Sequence, residues 1–359
     1  MFSDNGMISS RQLKRQMVLS FLGVLLLLGT GEAAGGGGNA LLGFFLGILL
    51  LLAYLFLLVR TAEVYRAPEK YLGLPGKWLL TGVYLSYLAL SGGVLLEEMS
   101  RVVQIYLLPS VPQPVIGAVF LGAAFLGMGQ KIQKRGRLAE VSYPWVLGIF
   151  LLLLLLSVPH LHGIPAEGME PWKAREVSRA AVQVLASGTA VSLLPFILGR
   201  VREQDACFRV LRRGIWLLAL ITLGTAGILV GVYGWKGVQQ LEYPILNLMT
   251  GIGIPGGFLG RVDIIWLAVL LFTLLFAMGS ILFYGAWIGV GESRGIPWRR
   301  LLLAAGIWLL SLIRWRENTA AKICGRLLRD VWAPALLGIT LLAVWAKRRV
   351  EHGTEKKTN

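Results

Sequence analysis

The sequence predicts an all-α polytopic membrane protein. Three observations carry that expectation. Apolar runs long enough to cross a hydrocarbon core, roughly 17–25 residues each, recur along the 359 residues. The chain is 56% hydrophobic and only 15% charged, with mean hydropathy +0.68, far too apolar for a soluble domain of this size. The runs also lack the alternation of a membrane barrel. Residues 151–156 are consecutive leucines, which no strand with one lipid face and one polar face carries.

About ten spans follow from the length rule. They are expected at 13–34, 40–59, 78–108, 115–128, 145–158, 177–198, 215–233, 262–290, 301–313 and 331–346. The third is long enough to tilt or to project from the bilayer. The fourth, ninth and tenth are short. Residues 1–350 form a single transmembrane domain, and 351–359 a disordered cytoplasmic tail. The connection at 234–261, rich in Gly and Pro, suits a lid or a re-entrant piece. Two five-helix halves related by inverted symmetry are compatible with this count.

The formal net charge of +16 comes mostly from clusters between spans. Lys and Arg gather in the N-terminal arm, near 60–77, 131–137, 200–213 and 294–300, and at 347–349. By the positive-inside rule both termini are cytoplasmic, and the charge serves orientation and anionic headgroups. The basic stretch 314–329 falls on the other side. Either the last two spans are drawn wrongly, or part of it is an amphipathic surface helix. No nucleic-acid motif accompanies the charge, so membrane lipids are the expected partners and nucleic acid is not.

Chemistry-bearing motifs are sparse. Cys207 and Cys324 have no ligand partners at metal spacing, and His160 with His162 lacks a third ligand. No phosphate loop, nucleophile elbow or pair of catalytic acids is found. The expectation is no enzyme, no cofactor and no metal.

Charge inside hydrocarbon costs roughly 2.5–3.5 kcal/mol per residue on insertion scales, so each such group needs a reason. Glu32 follows Gly29, Thr30 and Gly31 in the first span, before the turn at Gly35 to Gly38. Glu97 and Arg101 are four apart on the third span, so they share a face. They form either a self-neutralising pair at the interface or a coupling site. Arg261 and Asp263 mark the end of the eighth span. The sixth carries Ser187, Gly188, Thr189, Ser192 and Pro195. Such residues either let helices approach closely or loosen the helix so that backbone groups meet a ligand. Breaks in the first and sixth spans are the corresponding positions of two halves.

Several stretches together resemble one family. They are ISSRQLKRQMVLSFLG at 8–23, LLEEMSRVVQIYLLPSVPQPVIG at 95–117, YPILNLMTGI at 243–252 and GGFLGRVDIIWLAVLLF at 256–272. In order and spacing they are similar to the spore germination receptor B-subunit family, the endospore germination permeases of the amino acid–polyamine–organocation superfamily. The resemblance implies a five-plus-five inverted-repeat fold with helices 1 and 6 broken, in the spore inner membrane. It implies A and C partner subunits and a small germinant, typically an amino acid. The family's small residue at the helix-one break falls on Gly23. A ligand held between helices 1, 3, 6 and 8 would then meet Gly23, Gly29, Thr30, Gly31, Glu32, Tyr87, Ser91, Ser187, Gly188, Thr189, Ser280 and Tyr284. Helix-end N–H groups would take its carboxylate, and Glu32 its amine. The other readings are a proton- or sodium-coupled amino acid permease, with Glu32 or Glu97 as the coupling charge, and a scaffold or water-conducting subunit with a vestigial pocket.

Overall fold

The computed structural model describes residues 6–30, 33, 36–129, 131–163, 171–251, 262–289, 296–313 and 319–358. Among them the regular structure is helical, apart from one isolated parallel bridge between Ile8 and Val201. The helices are α1 (Ser10–Val24), continued by a π turn at Leu25–Gly29, α2 (Gly37–Arg66), α3 (Pro68–Tyr106), α4 (Gln113–Gly127) and α5 (Ile132–Leu156). Then come α6 (Ala174–Ala186), α7 (Thr189–Ser192), α8 (Leu194–Leu198), α9 (Gln204–Gln240) and α10 (Pro244–Thr250). The last are α11 (Val262–Gly285), α12 (Ile296–Leu312), α13 (Thr319–Leu327), a π turn at Leu328–Trp332, and α14 (Ala333–Thr358).

Among the described residues, seven helices are long and apolar enough to cross a membrane, and α4 is a shorter apolar one. This is a polytopic membrane protein. The remaining expected spans correspond to the interrupted α6–α8 stretch and to α12. The fifth span is longer than expected, because α5 begins at Ile132, a polar segment that hydropathy excluded. The tenth is longer too. It runs as helix from α13 through α14 to Thr358, past the point where a disordered tail is expected. A nucleated helix extends at one hydrogen bond per added residue, which needs no apolar side chain.

Local chemistry starts and bends these helices. Ser9 caps α1 in a reciprocal box: its Oγ accepts from the Gln12 N–H at 3.2 Å, and Gln12 Oε1 accepts from the Ser9 N–H at 3.1 Å. Pro68 opens α3, where a missing N–H costs nothing. Gly73 (φ 71°) kinks α3, and Gly234 (φ 69°) kinks α9. Both are left-handed conformations that favour glycine.

α1 lies at the centre, in contact with α5, α9 and α11. Its Leu13, Met17, Val18, Leu19, Phe21 and Leu22 are buried in the core. α2 packs on α6 through Gly43 and Gly47, where an added Cβ would sit 2.6 Å from the Val177 carbonyl and 2.8 Å from that of Ala181. These glycines act as close-approach residues between helices.

Candidate functional site

The interruption in the sixth expected span is real. α6 ends at Ala186, Gly188 takes non-helical angles (φ −72°, ψ 34°), and two very short helices follow. A helix end leaves carbonyl groups without partners. Tyr87 of α3 meets that need: its hydroxyl donates to the Ala186 carbonyl at 2.8 Å and lies 3.2 Å from Thr189 Oγ1.

The first expected span behaves differently, and the break expected at Gly23 is absent. Gly23 sits in regular helix, and a Cβ there would fall 2.3 Å from Thr273 Oγ1 of α11. The missing side chain lets α11 approach, so close packing rather than backbone freedom explains this glycine. The irregularity lies just beyond, as the π turn. Its backbone stays hydrogen-bonded, with the Thr30 N–H reaching the Leu25 carbonyl, and Thr30 Oγ1 donates to the Leu26 carbonyl at 2.6 Å.

A cavity of about 80 Å³ lies beside the α6–α7 interruption. α1 contributes Ser20, Phe21 and Val24; α3 contributes Ser91, Val94 and Leu95; α6 and α7 contribute Gln183, Ala186, Thr189 and Ala190; α11 contributes Ala277, Ser280 and Ile281. Leu28, Ser187, Leu193, Gly325 and Leu328 complete the wall. Every lining side chain is uncharged. An 80 Å³ space holds several waters or a small organic molecule. Its mix of apolar walls and a few hydroxyls is the usual make-up of a small-ligand site.

The structure therefore brings Ser91, Ser187, Thr189 and Ser280 together at one cavity, with Tyr87 and Gly188 at its edge. Gly29 lines a smaller neighbouring space with Leu25, Phe44 and Val184. Thr30 is buried on its own helix, and Gly23 packs against α11. Gly31 and Glu32 lie outside the described residues, as do Arg261 and the side chain of Asp263. Tyr284 lies one turn beyond Ser280 on α11 and donates to Gln16 Oε1 at 2.5 Å.

Behind Ser280 stands Arg135 of α5, only 2% exposed. From the sequence it counts as one more loop charge. Here its Nη2 donates to the Ser280 hydroxyl at 2.5 Å and to the Phe276 carbonyl at 2.6 Å. Its guanidinium lies 4.2 Å from the Phe276 ring centre and 5.8 Å from that of Tyr284. Ser280 in turn lies 2.7 Å from Ser20 Oγ. Among the described residues no carboxylate pairs with Arg135. Its Nε and the Gln16 Nε2 are buried without a hydrogen-bond partner. A buried, unpaired charge costs roughly several kcal/mol. The only sequence signal was Arg135 lying within a basic run, which reads as topology.

Glu97, Glu98 and Arg101 lie toward the C-terminal end of α3, starting in the turn after the cavity-lining Val94 and Leu95. Arg101 reaches Glu242 at 3.2 Å, and Tyr243 donates to Glu98 at 2.8 Å. Gln113 Nε2 donates to the Glu97 carbonyl at 3.2 Å. Burial first, then the Glu98 carboxylate, holds the Tyr243 phenol above its ordinary range. These groups fasten the α9–α10 connection to α3.

A bundle of membrane-spanning helices with a small cavity at a helix interruption has the construction of a transporter-like protein. The model of the Spore_permease family, described as spore germination protein, matches residues 7–319, and the chain belongs to that family. Over 225 residues it is 25% identical to spore germination protein YndE of Bacillus subtilis strain 168, covering 60% of each chain. Over 291 residues it is 22% identical to spore germination protein A2 of the same organism, covering 76% of this chain and 75% of that one.

Proposed function

We propose that this chain is the transporter-like membrane subunit of a spore germinant receptor. It binds a small germinant, an amino acid in this reading, and triggers germination without acting as an enzyme. The carrying observation is the cavity at the α6–α7 interruption, lined by α1, α3, α6–α7 and α11. Ligands that bind at a helix interruption can favour one packing of the helices over another, and only such a difference in affinity produces a signal. In this reading the protein sits in the spore inner membrane with cytoplasmic termini, beside the receptor's A and C subunits.

The test is a cavity-filling substitution in spores. Thr189→Leu should abolish the response to the amino acid germinant while the protein remains at its normal level. A full response in those spores rules the cavity out as the germinant site. Uptake of labelled amino acid by proteoliposomes of the purified protein would instead favour the coupled permease.

A further inference from the structure

We propose that Arg135, Ser280 and Ser20 form the anion subsite of this cavity, which takes the carboxylate of a small organic acid. This rests on the reading of the cavity as the germinant site and specifies the ligand's chemistry and orientation. It replaces the expectation that helix-end N–H groups hold the carboxylate. α7 has four residues and α8 five, too short for an aligned dipole or a set of free N–H groups to form an anion site. The end of α6 that borders the cavity is its C-terminus, the negative end of the helix, where exposed carbonyls suit an ammonium group. Neither feature draws a carboxylate.

The Arg135 side does. A guanidinium only donates, and among the described residues this one has no counter-ion. It is separated from the cavity by two serine hydroxyls, both of which line the wall. Ser280 accepts from Arg135, and its own hydroxyl can donate either to the Phe276 carbonyl at 3.0 Å or to Ser20 at 2.7 Å. Arg135 also donates to that carbonyl, so it stays satisfied when the Ser280 hydrogen turns toward Ser20. An anion at Ser20 then aligns the whole chain: Arg135 donates to Ser280, Ser280 to Ser20, and Ser20 to the carboxylate. Each bond polarises the next, so a buried cation acts on the ligand through two neutral groups. Arg135 is thus a positioning residue and Ser20 the contact. The Nε of Arg135 and the Nε2 of Gln16, one turn before Ser20 on α1, are further buried donors without a hydrogen-bond partner.

The test uses the purified full-length protein in lipid nanodiscs. Thermal stabilisation is titrated with each of the twenty amino acids, with their carboxamides and with the matching amines. At least one amino acid should stabilise the protein, with its amide needing about tenfold more, the scale of one charge-assisted hydrogen bond. Ser20→Ala leaves the Arg135 contacts intact and should erase the preference for acid over amide. Arg135→Lys should keep it, and Arg135→Gln should lose it. Equal potency of acid and amide in the wild type, or a preference that survives Ser20→Ala, overturns this inference and leaves the proposed function standing. Stabilisation by none of the compounds removes both.

Discussion

α1 and the α6–α8 stretch both wall one cavity, and each accommodates small residues in its own way. α1 keeps a hydrogen-bonded backbone through Gly23 and only widens to a π turn at Leu25–Gly29. The other wall stops at Ala186, turns at Gly188 and restarts twice. Glycine lowers the cost of leaving the helix, but the neighbours decide whether that happens. At Gly23 the neighbour is Thr273, packed where a side chain would stand. At Gly188 the neighbour is Tyr87, whose hydroxyl serves the carbonyl that the break exposes. A helix breaks where a partner takes over its backbone groups, and it packs closely where a side chain fills the notch.

The sharpest way to break this comparison is Gly23→Val. Its Cβ would lie 2.3 Å from Thr273 Oγ1 and 3.0 Å from Thr273 Cβ, on a helix surrounded by core. Destabilisation of about 3 kcal/mol, the upper end for overpacking, should lower the thermal unfolding midpoint in detergent. An unchanged midpoint would sink the packing account of α1.

Tyr87→Phe probes the other wall. It leaves the Ala186 carbonyl buried without its donor and removes the contact to Thr189, a loss of about 1–2 kcal/mol. Hydrogen exchange at 186–190 should rise while α1 stays protected. Equal loosening of both walls would mean that Tyr87 supports the bundle generally and not the break.

The smallest effect concerns the clamp that joins the two walls at one end. Ile8 N–H donates to the Arg200 carbonyl at 2.9 Å, and the Ser10 hydroxyl donates to Glu203 at 2.5 Å. The Ser10 hydroxyl and N–H hold the Glu203 carboxyl below its ordinary range. A lowered folded-state value means that the clamp's contribution is complete above the ordinary carboxylate range and fades as pH falls through the lowered value. Exchange at residues 8–12 should therefore quicken in acid, below about pH 4. Glu203→Gln should flatten that pH dependence; a wild-type profile in the variant would assign the acid response to other groups.

Much of this molecule was legible in its residues. Leucine runs and loop charges announced a helical membrane protein, because a span must satisfy its backbone internally and present apolar side chains to lipid. Ser187, Gly188 and Thr189 marked the interruption, since small polar residues inside an apolar span carry a cost that asks for a reason. The family resemblance, not hydropathy, pointed to Ser91 and Ser280. Hydropathy failed for Arg135, whose burial depends on α5 starting well before its apolar core. It failed for Ser20 too, an ordinary residue on α1 until α11 places Ser280 beside it.

Composition and periodicity determined the class, the long spans and the position of the α6 break, because these follow from local hydropathy and backbone chemistry. Tertiary structure alone decided which glycine became a notch and which a turn, and that a basic residue near a loop faces inward. Those outcomes depend on which side chain of a distant helix arrives at each point, and no property of a short segment encodes that.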